Sequence, residues 1–184
     1  DIVAVDNFDP YYDTKLKNNR KDNLNKKIKF INLDLKNLRS LELLFKKYNF
    51  RTVVHLAAQP GVRYSIENPR AYFENNLSVF FNLIDLSKKF KINHFIYASS
   101  SSVYGNLKKF PLKEFYETNN PISFYATTKK CNEMIAESYS KNFNLKCTGL
   151  RFFTVYGPFG RPDMSLFKFV NSIFKKQKVE IFNN

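Results

Sequence analysis

Tyr125 and Lys129 stand four residues apart in Tyr125-Ala-Thr-Thr-Lys129, at the start of a stretch with helical character. That spacing puts both side chains on one helix face, a turn apart. A phenol is a weak acid with an unperturbed pKa of about 10. An ammonium beside it favours the phenolate and fits the pair for taking a proton from an alcohol near neutral pH. Alone the pair is a weak signal, because helices carry it by chance. Ser99–Ser102, in Tyr97-Ala-Ser-Ser-Ser-Ser-Val-Tyr-Gly105, set four hydroxyls directly after an apolar run. A hydroxyl there can bond a reacting oxygen and align it with the phenol; the other reading is a Ser-rich turn that satisfies its own backbone. Arg151-Phe-Phe-Thr-Val-Tyr-Gly-Pro158 forms a further polar cluster. Arg161 beyond it either pairs with a phosphate or base edge or stands solvated in its loop.

The elements that must position these groups alternate. Strand patterns fall at Asp1–Asp6, Ile28–Leu33, Val53–Leu56, Phe95–Ser99 and Lys146–Phe152, with the start of another at Val179–Phe182. Helical spacing marks Leu38–Tyr48, about Tyr72–Phe90, Ser123–Asn142 and Ser165–Lys175, while Asn7–Lys27 reads as loop with some helix. Short strands separated by helices imply an α/β fold with a doubly wound parallel sheet. Ligands on such sheets lie beyond the strand C-termini. Asp6-Asn7, Ala57-Ala58-Gln59 and Ser99–Ser102 all fall there, an agreement that ordinary loop chemistry explains poorly. Residues 1–184 read as one domain, without internal repeats or a linker.

The totals narrow the class. A hydrophobic content of 43% is too high for a disordered chain. No apolar run approaches the roughly 20 residues of a membrane span, and the expectation is a cytoplasmic protein with no membrane partner. Cys131 and Cys147 lack metal-ligand spacing, and no metal is expected. The net charge of +14 comes from lysines spread along the chain, so it reads as compositional bias rather than a nucleic-acid surface. His55 and His94 are isolated and read as packing, as do Phe73, Phe80, Phe81 and Phe90.

A dinucleotide-binding sheet normally begins with a strand, a Gly-rich turn and a helix, and an acid on the ribose follows about 20 residues on. Asp6 suits that acid, which would put the glycine turn before residue 1. The reading is therefore of a Rossmann-type sheet truncated at its first, central strand, with most of a C-terminal substrate region also lacking.

With these blocks in view, the chain resembles the extended short-chain dehydrogenase/reductase family and, within it, the UDP-glucuronate 4-epimerases. The blocks are His55–Ser65 (HLAAQPGVRYS), Tyr97–Gly105, Tyr125–Lys130 and Leu150–Met164 (LRFFTVYGPFGRPDM), followed by Leu166–Phe169. The resemblance implies NAD as cofactor and a UDP-sugar as substrate, with a homodimer in the full-length protein and a place in polysaccharide biosynthesis. It implies that Tyr125 is the acid/base, that Lys129 supports its phenolate and holds the nicotinamide ribose, and that Ser100 bonds the reacting hydroxyl. Asp6 and Asn7 would bind the adenosine ribose, and Asp34 and Leu35 would flank adenine. Leu56, Ala57, Ala58 and Asn75 would line the dinucleotide path, with Phe153 near the nicotinamide. Ser101, Ser102 and Thr154 would take a sugar carboxylate, Arg161 the nucleotide end, and Arg63 an anionic sugar.

The rival readings are a UDP-glucose 4-epimerase, a sugar-nucleotide 4,6-dehydratase and a non-catalytic NAD-binding protein. Dehydratases of this fold carry an Asp-Glu pair where this chain has Ser101 and Ser102. For the segment alone, expectation is marginal stability and poor NAD binding; a thermal scan with and without NAD checks it, and a cooperative transition raised by NAD would contradict it.

Overall fold

The computed structural model describes residues 1–179. Val179–Phe182, expected to start a last strand, lies outside them apart from Val179. Contacts group the chain into two compact units, one built from Asp1–Asn32 and the chain from Thr154 onward, the other from Leu33–Phe153.

In the first unit, β1 (Val3–Asp6) pairs in parallel with β2 (Lys29–Asn32), Val3 opposite Lys29 and Asp6 opposite Asn32. Between them lies α1 (Thr14–Asp22), capped by Asp13, whose carboxylate accepts from Lys15 N. Arg20 on α1 donates from Nε and Nη2 to Phe159 O, at 2.9 and 2.6 Å, and also bonds Tyr12 OH. This guanidinium ties the loop before α7 (Ser165–Phe174) to α1.

The second unit carries a three-stranded parallel sheet ordered β3 (Thr52–His55), β4 (His94–Ala98), β5 (Cys147–Leu150). The strands of residues 3–32 and those of residues 52–150 thus form two separate parallel sheets. Helix α2 (Leu38–Tyr48) matches its sequence pattern: Asn37 caps its start and Asn49, at φ 44°, closes its end. Asparagine tolerates that left-handed geometry. Leu41, Leu44 and Phe45 turn inward, and Phe45 packs on Phe90 at 5.6 Å between ring centroids.

The helix expected at Tyr72–Phe90 is differently built. After a short α3 (Tyr64–Glu67), Asn68 caps α4 (Pro69–Tyr72), with proline at the first helical position. A π-turn, Phe73–Ser78, then leads into α5 (Val79–Lys89). The expectation that the phenylalanines pack holds for Phe80, fully buried against Phe95 and Tyr97, and for Phe90. It fails for Phe73 and Phe81, which are 52% and 50% exposed. Beyond β4 comes a 3-10 turn, Ser101–Tyr104, and then α6 (Phe124–Phe143), capped by Ser123 and closed by Asn144 at φ 53°. β5 stops two residues short of the expected Phe152, because Phe152 N turns back to Leu150 O while Phe152 O accepts from Ser101 N. Among the described residues no helix is long and apolar enough to cross a membrane.

Gly149 in β5 is required by its neighbour. A Cβ there would lie 2.6 Å from both Cζ and the phenol oxygen of Tyr97, a side chain buried at 5% exposure. Gly149→Ala should cost about 1–3 kcal/mol by overpacking, read by urea denaturation; an unchanged midpoint would contradict this packing.

Candidate functional site

The cap at Ser123 starts α6 so that Tyr125 lies in its first turn and Lys129 in its second. Tyr125 is half-buried, its ring edge-on to that of Tyr72 at 6.1 Å. Lys129 is 3% exposed, and its Nζ donates to Ala98 O, the last residue of β4, at 2.8 Å. The same Nζ is 6.0 Å from the Tyr125 ring centroid. Burial pushes the Lys129 ammonium down to about 8. Phenol ring and amine are therefore brought together, and the amine is anchored to the strand that leads into the serines. The α6 helix also packs against the turn Ser101–Tyr104.

Ser100 is buried and caps that turn: its Oγ accepts from Ser102 N at 3.2 Å and donates to Ser102 Oγ at 3.1 Å. The Ser-rich turn thus satisfies its own backbone, as one reading had it, and the cap holds the Ser100 oxygen in place. Ser101 and Ser102 are half-buried.

After β3, Leu56 and Ala57 are exposed and Ala58 half-buried. Asn75, expected on the dinucleotide path, donates Nδ2 to Ala71 O in its own helix at 2.9 Å. The neighbouring Asn76, absent from the sequence reading, is 1% exposed and does more. Its Oδ1 accepts from Gln59 N at 2.7 Å, and its Nδ2 donates to Gln59 O and to Thr128 Oγ1, each at 3.1 Å. Thr128 Oγ1 in turn donates to Tyr125 O at 2.8 Å. Tyr72 OH adds a bond to Pro60 O at 2.7 Å. A hydrogen-bonded path therefore runs from the loop after β3 to the backbone of Tyr125. Two adjacent asparagines gave no local sign of which faced inward.

Glu133 on α6 was also missed. It accepts from Ser99 Oγ and, in bidentate fashion, from Arg151. Burial works to raise its carboxyl, but the bonds from Arg151 and Ser99 outweigh that and hold it below its ordinary value.

Phe153 is 61% exposed, and Arg63 is exposed at the start of α3. Asp34 accepts from Lys36 N, and Leu35 is half-buried. In the first unit, Asp6 is exposed at the end of β1 and accepts from Phe8 N, Asn7 accepts from Asp9 N, and Thr154 is exposed. Arg161 is not the solvated loop residue of the alternative reading: it pairs with Asp163, donating Nε to Oδ1 at 2.9 Å. His55 is buried between Phe80 and Phe95. Burial first, and then the Lys129 charge, push it down to about 3, so it is neutral packing. His94 bonds Thr148 across the sheet.

Fold and site together define a Rossmann-type α/β protein with a Tyr/Lys pair and a serine turn beside the end of a central strand. More narrowly, the chain belongs to the NAD dependent epimerase/dehydratase family, whose model matches residues 6–184. It is 46% identical over 184 residues to Protein CapI of Staphylococcus aureus, covering 100% of this chain and 55% of that protein. To UDP-glucuronate 4-epimerase 4 of Arabidopsis thaliana it is 44% identical over 185 residues, covering 100% and 42%. The chain thus spans about half the length of the curated relatives it matches. Among solved structures, UDP-glucuronic acid 4-epimerase from Bacillus cereus, in complex with UDP-glucuronic acid and NAD, superposes with a TM-score of 0.90 at 34% identity. That match covers 99% of this chain and 57% of the other. UDP-glucose 4-epimerase from Thermotoga maritima with UDP-glucose gives 0.87 at 29% identity, covering 99% and 58%.

The Lys129 environment sets a pH dependence. An unfolded lysine titrates at about 10.4, so between about 8 and that value the unfolded chain holds a proton that the folded chain has released. Stability attributable to Lys129 is therefore lowest below about 8 and rises with pH through this window. Relative to Lys129→Met, the native chain should gain on the order of 3 kcal/mol between about pH 7 and pH 10.5. Urea denaturation at the two pH values measures it; parallel behaviour of the two chains would refute it.

Proposed function

We propose that the whole protein is an NAD-dependent UDP-sugar 4-epimerase acting on UDP-glucuronate. The observation that carries this reading is the buried Lys129, which lies beside the Tyr125 ring and is anchored to the strand end that leads into Ser99–Ser102.

The residues fit the cofactor. Asp6 presents an exposed carboxylate at the end of β1, suited to ribose hydroxyls and repellent to a 2′-phosphate. Asn7 supports the same ribose, and Asp34 and Leu35 flank the adenine. The small Ala57 and Ala58, with Leu56, allow close approach to the dinucleotide, joined by Asn75 and by the exposed Phe153. Ala98 O takes one of the three N–H groups of the Lys129 ammonium, so that amine can also hold a nicotinamide ribose. NAD, when bound, supplies the acceptor for a hydride from sugar C4 and the donor that returns it.

Tyr125 takes the proton of the sugar 4-hydroxyl, with Lys129 stabilising the phenolate. Ser100 bonds the same oxygen and holds it in line. The 4-keto sugar then turns over, and Tyr125 gives its proton back to the oxygen on the inverted carbon. In a glucuronate the ketone is β to the carboxylate, which invites loss of carbon dioxide. Ser101 and Ser102 offer hydroxyls that hold the carboxylate out of that geometry; Thr154 is assigned the same task, Arg63 a further contact with the anionic sugar, and Arg161 the nucleotide end. Arg161 would share its guanidinium between Asp163 and that ligand. A 4,6-elimination lacks an acid and a base, because serines occupy both positions that dehydratases fill with Asp and Glu. The half-exposed Phe73, Phe81 and Met134 form an apolar strip with Leu77 and Ile135, which favours pairing of two copies.

In the whole protein, Tyr125→Phe should lower turnover by about 10²-fold or more while leaving NAD bound. UDP-glucuronate should be turned over in preference to UDP-glucose, and light scattering should give twice the mass of one chain. Undiminished turnover in Tyr125→Phe would remove the assignment; preference for UDP-glucose would move it to the neutral-sugar epimerase.

A further inference from the structure

Glu133 lies four residues after Lys129 and eight after Tyr125, along the same face of α6. Its side chain is only 14% exposed. Ser99 Oγ donates to Oε1 at 2.6 Å; Arg151 donates Nε to Oε1 and Nη2 to Oε2, each at 2.9 Å. Ser99 is the first residue after β4 and Arg151 the first after β5, and the residues before them, Ala98 and Leu150, are register partners in the sheet. The same two segments meet again where Ser101 N donates to Phe152 O at 2.8 Å. Arg151 also donates Nη1 to Glu114 O at 2.9 Å and sits over the Tyr104 ring at 4.9 Å.

A buried ion pair is a weak device for stability alone, since desolvation offsets most of its Coulombic attraction. What a bidentate pair supplies is fixed geometry. Here it joins two neighbouring strand ends, one leading directly into Ser100–Ser102 and the other into Phe153, to the helix that carries Tyr125 and Lys129. Ser99 is the direct link, because its hydroxyl is held by Glu133 and its backbone continues into Ser100.

We infer that Glu133 is a positioning residue of the proposed epimerase, holding Ser99, and through it the Ser100 hydroxyl, in place relative to the Tyr125–Lys129 face of α6. This rests on the epimerase reading. The carboxylate takes no part in proton transfer; it acts through Ser99.

The test uses the whole protein loaded with NAD and the better of UDP-glucuronate and UDP-glucose. Ser99→Ala removes one hydrogen bond and leaves the Glu133–Arg151 pair. It should lower kcat about tenfold while KM and NAD content stay within about twofold. The deuterium isotope effect from substrate labelled at C4 should rise, and Ser99→Thr should restore the rate. Glu133→Gln, which weakens all three bonds, should lower kcat about 30-fold or more with the same signature. If Glu133→Gln does not fold, Ser99→Ala decides alone. Rates within about twofold of wild type in Ser99→Ala, or losses that follow only lost folded protein, would overturn the inference. A wild-type protein that turns over neither sugar would instead sink the epimerase reading, whereas an active wild type with an equally active Ser99→Ala sinks only the positioning role.

Discussion

One side-chain amide, that of Asn76, holds together the loop after β3 and helix α6 in the second unit. A buried amide is costly unless its hydrogen bonds are made. Asn76 makes three: it takes both backbone groups of Gln59, as a neighbouring strand would, and reaches Thr128. Parallel pairing fixes where β3, β4 and β5 end, but it leaves the loops beyond them to find their own partners. For the loop after β3 that partner is Asn76, and for the backbone of Tyr125 it is Thr128, the next group along. The turn of α6 that carries Tyr125 and Lys129 is thus held from behind by polar contacts inside the core.

Two charges on α6, Lys129 buried and Glu133 half-buried, show how differently one helix can treat its ionisable groups. Lys129 is stripped of water and given a single carbonyl, which weakens its hold on a proton. Glu133 is surrounded by donors, so its negative charge is secured despite burial. The first is left with donors for a further partner, and the second already accepts three bonds. That contrast separates a group suited to meeting a ligand from a group suited to holding others still.

Periodicity and end signals made much of this architecture legible. Leu38–Tyr48 announced itself by apolar spacing, and its two asparagine caps agree with the pattern. Ser123 did the same for the helix bearing Tyr125 and Lys129. What stayed hidden depends on contacts between residues distant in sequence. Nothing local distinguishes Asn76 from Asn75, or marks Glu133 as more than a solvated helical carboxylate, until Gln59, Thr128, Ser99 and Arg151 are seen around them. The Asn68-Pro69 start was readable but passed over, so the helix was begun three residues late. The pairing of Arg161 with Asp163 lay two residues apart in plain view, yet an arginine's partner cannot be read from spacing in a loop.

The π-turn at Phe73–Ser78 has a consequence for helical phase. In an α-helix, positions four apart drift around the axis by roughly 40° at each step, so a stripe at that interval soon rotates out of register. A π-turn takes more residues to complete a circuit, and inserting one turns the drift back. Tyr72, Asn76 and Phe80 all remain at or below 1% exposure, while Phe73 and Phe81, one position further on, both remain half-exposed. Slower winding over six residues thus keeps two adjacent faces straight along one rod, an inner one that grips the loop after β3 and α6 and an outer one of aromatic rings.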